Sequence, residues 1–286
     1  MSEKIIIACD STADLGPELT ARYNLQILPL GVTLGDKQYT DGVDIDPDFI
    51  YRHYEQSGQL PKTSAINLAS ASAFFEKLTA DGSAVIFFAI SSQMSSTFQN
   101  VRLAAEDFER VFVIDTQNLS TGGGLLVVKA AEMAVEGKSA EEIVAACEAA
   151  APCVDASFVI DSLEFLHKGG RCSAVAAFGA NLLRLKPCIV VRNGKMGVAK
   201  KYRGNYAEVL KKYIAEQIGD ASDIDLSHVF VTHAGCDAEI YEACIDVVKS
   251  LAPFSEVHLT RAGCTISSHC GRNTLGVLFI RKNPVV

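Results

Sequence analysis

SAVIFFAISSQMSSTFQNVRLAAEDFERVFVIDT, residues 83–116, reads as a strand, a polar loop, a helix and a second strand in succession. SAVIFFAI (83–90) and RVFVIDT (110–116) are short apolar or β-branched runs, and STFQNVRLAAEDF (96–108) carries a helical pattern between them. Near-continuous apolar strands joined through helices imply a parallel sheet covered on both faces. The same alternation extends outward. KIIIACD (4–10) and LQILPLGVTL (25–34) are further strands, with helical patterns at PELTARY (17–23), DPDFIYRHYEQSG (46–58) and LASASAFFEKL (68–78). LLVVKAAEMAVEG (125–137) continues the series, and SAEEIVAACEAAAPC (139–153) opens on a capping-box spacing, Ser139 to Glu142.

Beyond that bridge the strands look mixed. PCIVVRNGKMGVAKKYR (187–203) has Asn193-Gly194 between two extended runs, a hairpin signal. SHVFVTHAG (227–235), SEVHLTRAG (255–263) and TLGVLFIRK (274–282) supply more strands. SLEFLHKGG (162–170), AVAAFGANLL (174–183), NYAEVLKKYIAEQI (205–218) and AEIYEACIDVVKSL (238–251) are helical patterns. The expectation is an α/β protein of two domains. Residues 1–152 form one with a mainly parallel sheet flanked by helices, residues 153–286 form one with a mixed sheet, and a ligand lies between them.

With 286 residues, 49% of them apolar and 21% charged, the chain has the balance of a globular protein. A net charge of −8 argues against a nucleic-acid or anionic-membrane binder. No stretch approaches a membrane span, since LLVVKAAEMAV is broken by Lys129 and Glu132. MSEKIIIACDST is unlike a signal peptide, so a cytoplasmic location is expected. Nine cysteines without a CxxC pair suggest reduced thiols. His233 and Cys236 have an HxxC spacing and Cys264 lies near His269-Cys270, but no four-ligand zinc pattern appears, and no metal is expected. One charge feature stands apart. Between Glu164 and Glu208 there is no acidic residue, while Lys168, Arg171, Arg184, Lys186, Arg192, Lys195, Lys200, Lys201 and Arg203 contribute +9, leaving −17 for the rest. Such a stretch suits a solvated face or a surface for an acidic partner.

ISSQMSST (90–97) holds five hydroxyls, Ser91, Ser92, Ser95, Ser96 and Thr97, directly after a strand. In open α/β sheets ligands sit at the carboxyl ends of strands, and free N–H groups and hydroxyls converging there suit a carboxylate or phosphate. Helix capping needs only one hydroxyl. Thr63 and Ser64 in PKTSAIN (61–67) form a second pair, where Ser64 or Asn67 caps the next helix. A third site-like stretch is AGCTISSHCGRNTLG (262–276), read as a polar loop carrying His269. CDSTADL (9–15) is adequately explained by capping. No GxGxxG, Walker lysine or GxSxG motif is present, and Gly122-Gly123-Gly124 has the wrong spacing for the first. The residues alone reach an α/β protein with an anion-binding hydroxyl cluster. A serine-type acyl hydrolase using Ser95 and His269 with Asp10, a phosphotransferase using His269, and an interaction module built on the basic stretch remain open.

In order along nearly the whole chain, seven segments resemble the DegV family of fatty-acid-binding proteins. They are DSTADL with PLGV (29–32), PKTSAIN, ISSQMSSTFQNVRLA, VIDTQNLSTGGG, LEFLHKGGRCS, and LLRLKPCIVVRNGK with its Asn-Gly hairpin. Two departures matter. Ser96 stands where the family often has Gly, and HCGRN (269–273) replaces a His-x-Gly-x-Gly loop, so Arg272 and Asn273 add bulk. The resemblance implies a binding protein, not an enzyme, that encloses one long-chain fatty acid between its domains as a ligand, with no cofactor. Thr63, Ser95 and His269 resemble the residues at the carboxylate, with Ser64, Ser96 and Thr97 supporting them. Arg171 and Arg203 resemble arginines near the carboxylate end or the docking surface. It also implies a partner, a separate fatty acid kinase subunit docking on the 168–203 stretch. Physically, burying about fifteen methylenes at about 0.8 kcal/mol each provides on the order of 12 kcal/mol before binding costs, while the carboxylate needs donors. The tail then sets affinity and the hydroxyls set placement.

Overall fold

The computed structural model describes residues 4–171 and 185–285. Arg184, Cys172 and the AVAAFGANLL pattern (174–183) lie outside the described residues. The first part of the chain runs β1 (Ile5–Asp10), α1 (Gly16–Arg22), β2 (Gln26–Leu28), β3 (Gly31–Leu34), β4 (Lys37–Thr40), α2 (Pro47–Ser57), β5 (Lys62–Ser64) and α3 (Leu68–Thr79). It continues through β6 (Ala84–Ala89), α4 (Thr97–Ala105), β7 (Val111–Asp115), α5 (Thr121–Val135) and α6 (Ala140–Ala150). After these come β8 (Val154–Ile160), α7 (Glu164–Gly169), β9 (Lys186–Arg192), β10 (Lys195–Tyr202) and α8 (Tyr206–Ile218). β11 (Ile224–Ala234), α9 (Ala238–Leu251), β12 (Glu256–Arg261), α10 (Cys264–Cys270) and β13 (Thr274–Arg281) complete it.

Three sheets result. β2-β1-β6-β7 is parallel throughout, as the apolar runs require. β10-β9-β8-β13-β11-β12 is mixed, with only β11 and β12 parallel. A small antiparallel sheet, β4-β3-β5, places Thr63 opposite Val32. The α/β expectation, parallel then mixed, holds. So do the Asn193-Gly194 hairpin and the Ser139–Glu142 capping box.

Several local readings change. LQILPLGVTL is not one strand: Pro29 cannot donate to a ladder, and the chain leaves the parallel sheet after Leu28 and enters the small sheet at Gly31. VDASFVI (154–160) carries no clear strand signal, because Asp155 and Ser157 interrupt its apolar run, yet β8 is central and fully buried. Asp155 is paired with Arg192 and Arg281, and Ser157 with Tyr213, which removes the cost of burying them. The loop expected around His269 is instead a helix, α10. α5 begins at Thr121, so the three glycines form its buried first turn. A Cβ at Gly124 would lie 2.8 Å from the Ala13 carbonyl oxygen, so this close approach requires glycine.

α5 is sandwiched between the two large sheets. The largest apolar cluster joins Ile86, Phe88 and Ile114 on one side, Leu126 and Val128 of α5, and Phe158, Ile160, Phe230 and Leu278 on the other. No helix among the described residues is long and apolar enough to cross a membrane.

Candidate functional site

A cavity of about 380 Å³ opens where the carboxyl ends of β2, β6 and β7 meet the mixed sheet, a volume within the usual range for small-molecule sites. Leu30, Ile90 and Leu119 line it from the parallel-sheet side, each just past a strand end. Phe158, Met196, Ala234, Gly276 and Leu278 line it from the mixed sheet, and Ile266 from α10. Polar groups also reach it. Thr63 and Ser64 come from β5, Ser95 and Ser96 from the hydroxyl loop, His269 from α10, and Arg171 follows α7. Six of the eight expected site residues therefore share one cavity.

The two others have different places. Thr97 is fully buried behind the loop. Its hydroxyl oxygen accepts from the Ile66 N–H at 3.3 Å and lies 3.0 Å from Ser95 Oγ. Ser95 Oγ also accepts from the Thr97 N–H at 3.1 Å. Either hydroxyl of this pair can donate to the other; with Thr97 as the donor, Ser95 has both lone pairs engaged and its own proton left for the cavity. Arg203 is not brought to the cavity. It follows the far end of β10, seven residues beyond the cavity-lining Met196. It lines a separate groove with Lys200, Lys201 and Lys212.

His269 Nε2 sits 2.9 Å from Thr63 Oγ1. Among the described residues its buried Nδ1 has no hydrogen-bond partner, and it packs so tightly on Gly169 that a Cβ there would lie 2.5 Å away. Burial, reinforced by the Arg171 charge, pushes the imidazole down to about 4, so it is neutral at pH 7. A buried lone pair is better tolerated than an orphan N–H, which favours the tautomer with Nε2–H donating to Thr63. That leaves the Thr63 hydroxyl as a second donor for the cavity. The arrangement is two neutral hydroxyl donors beside a neutral imidazole, at one end of an apolar slot. A Ser-His-Asp triad does not form among these residues. His269 bonds Thr63, no carboxylate among the described residues orients its Nδ1, and Asp10 is committed to Thr12 and the Ile90 N–H.

The residues that position this site were only partly legible in the sequence. Asp41 accepts from the N–H groups of Cys264 at 2.8 Å and Thr265 at 3.0 Å, and Asp14 accepts from that of Gly263 at 2.8 Å. Two carboxylates from the first half thus hold the start of the helix that carries His269. Asp14 also accepts from Ser120, which lines the cavity, and burial raises Asp14 well above the usual carboxylate range. DSTADL is therefore a positioning loop as well as a cap; the pairing with α10 had no local signal. His233 and Cys236 are not a ligand pair, because His233 Nδ1 accepts from the Cys236 N–H.

The basic stretch is partly neutralised by the fold. Lys168 pairs with Glu164, Lys186 with Asp161, Arg192 with Asp155 and Lys200 with Glu216. Lys195, Lys201 and Arg203 are exposed.

An α/β fold whose two large sheets close over an apolar slot with hydroxyl donors at one end has clear relatives. The profile of the family described as "Uncharacterised protein, DegV family" matches residues 4–282, and the chain belongs to the DegV family. A DegV domain-containing protein of Caldanaerobacter subterraneus is 33% identical over 98% of this chain and 100% of its own length. Among solved structures, a DegV family protein of Thermus thermophilus described for fatty acid binding superposes with a TM-score of 0.88 at 29% identity, covering 97% of this chain and 99% of its own. A stearic acid-binding protein of Eubacterium ventriosum gives 0.83 at 27%, covering 96% and 98%.

Proposed function

We propose that this chain binds one long-chain fatty acid in the cavity and presents its carboxylate to a separate fatty acid kinase subunit, which forms the acyl phosphate. The observation that carries the binding reading is the joining of Thr63, Ser95 and His269, from three distant segments, at one end of an apolar slot. The alkyl chain lies along Met94, Phe158, Ile266 and Leu278, and the carboxylate accepts from the Thr63 and Ser95 hydroxyls. Ser64, Ser96 and Arg171 flank the head group, and Thr97 fixes Ser95. The slot lies at the junction of residues 1–152 and 153–286, the two proposed domains. Fatty-acid binding in similar proteins supports the ligand; the kinase partner rests on the family resemblance. Its docking face is the basic 168–203 stretch, where the groove holding Lys200, Lys201 and Arg203 suits an acidic surface. The chain acts in the cytoplasm, does not itself make or break bonds, and requires no cofactor.

Solvent extraction of freshly purified, denatured protein, read by mass spectrometry, is expected to release about one long-chain fatty acid per chain. Thr63→Ala and Ser95→Ala are each expected to weaken binding by about 0.5–3 kcal/mol, depending on whether the head group is charged, and to lower kinase turnover. A lipid-free extract with no uptake of added fatty acid would remove this reading. Unchanged binding and turnover in both variants would remove the head-group assignment.

A further inference from the structure

Away from the cavity, His228 and Glu256 face each other across the parallel pair β11 and β12, and His258 stands two residues further along β12. His228 Nδ1 lies 3.1 Å from His258 Nε2, and His258 Nε2 lies 3.7 Å from Glu256 Oε2. One ligand atom from each of the three residues falls within 4.8 Å of the others. Four-coordinate zinc with bonds of about 2.0–2.1 Å places its ligand atoms about 3.3 Å apart, so this trio is near the spacing an ion requires. We propose that His228, Glu256 and His258 bind one divalent transition-metal ion of the zinc class, with water completing the set.

The surroundings match what such sites need. His228 Nε2 lies 3.0 Å from Glu132 Oε1, which also accepts from Tyr23 Oη at 3.0 Å. Donation to Glu132 fixes the proton on Nε2 and leaves Nδ1 as a lone pair aimed at the trio, the carboxylate–histidine arrangement common behind metal ligands. The side chains of both histidines are only 12% exposed, and Arg22 grips both oxygens of Glu256, so the trio is held in place. Nitrogen and oxygen donors of this kind suit zinc, cobalt or nickel better than magnesium or calcium. Position gives the ion a role. Glu132 is twelve residues along α5 from Ser120, and His228 five residues along β11 from His233, both of which line the cavity. His228 is also only two residues along β11 from Phe230, which pairs with the cavity-lining Leu278, so the site sits on the same sheet close behind the slot. An ion there braces α1, α5 and the mixed sheet just beyond the slot.

The test is titration of the metal-stripped full-length chain with Co²⁺ and Zn²⁺ by calorimetry and visible absorption. The expected result is one equivalent bound with tetrahedral cobalt absorption, loss of that binding in His228→Gln and His258→Gln, and a 10–100-fold weakening in Glu132→Gln. Zn²⁺ should raise the Tm of the wild type but not of the two histidine variants, and fatty-acid content should be unchanged in every variant. In the wild type, Co²⁺ should broaden the NMR signals of His228 and His258 selectively among the six histidines, a readout that does not depend on a variant folding. Absence of saturable binding, a thiolate-to-cobalt charge-transfer band, or binding that survives loss of both histidines would overturn the site.

Discussion

His269 stacks its Nδ1 edge against the backbone of Gly169 and keeps Nε2 on Thr63, so one residue joins α10, α7 and β5. Its depressed pKa makes it a source of acid sensitivity. The unfolded imidazole takes up a proton near pH 6.5 and the folded one near pH 4, so its contribution to stability is complete above pH 6.5 and is lost as pH falls through 4. At pH 5 the wild type should have lost about 2 kcal/mol relative to His269→Gln, compared with their difference at pH 7.5. Burial raises the pKa values of Asp10 and Asp14, which act in the opposite sense but are common to both proteins and cancel. Denaturant melts at the two pH values measure this. Equal pH slopes in the two proteins would contradict it. A carboxylate bound beside Nε2 raises the imidazole pKa, so added fatty acid should shrink the difference.

At the scale of elements, α10 shows why the third site stretch reads as a loop in the sequence. CTISSHC has Cys, Ser and Thr where helices prefer Ala or Leu, and only seven residues. Its helicity depends on Asp14 and Asp41 satisfying the first N–H groups, and those carboxylates lie more than 200 residues away. Asp41→Ala would orphan two buried N–H donors and is expected to cost about 3 kcal/mol in a denaturant melt. It should also release fatty acid, because His269 moves with the helix. Retained ligand at full occupancy would show that α10 holds its place without Asp41. The basic stretch gives the converse lesson. Read linearly, residues 165–207 have no counter-charge, yet Asp155, Asp161, Glu164 and Glu216 return to neutralise four of its cations. His228 and His258 were invisible in the same way. They are thirty residues apart and meet only because β11 and β12 pair in parallel register.

For the whole molecule, the consequence of placing α5 between two sheets is mechanical unity. Its apolar residues contact both, and the largest core cluster draws members from either side of residue 152. Cutting the chain there would expose the α5 face and the inner face of β8 and β13 together. Urea unfolding followed by far-UV circular dichroism and by tyrosine fluorescence, with no tryptophan to complicate the signal, should give one coincident transition. Two separated transitions would mean that the halves are energetically independent.

The sequence by itself determined the parallel sheet, its helices, the hairpin at Asn193-Gly194 and the capping box at Ser139, because each follows from neighbouring residues through strand apolarity, helical period or turn chemistry. It also singled out the three stretches carrying Thr63, Ser95 and His269, through hydroxyl density after a strand and through the family's motif order. Tertiary structure alone decided that these stretches meet, that Thr97 supports Ser95 and does not reach the cavity, that Arg203 lines a separate groove, and that Asp14 and Asp41 hold the helix bearing His269. Burial and long-range pairing set those outcomes. Both depend on which distant segments exclude water together, and local patterning carries no record of that.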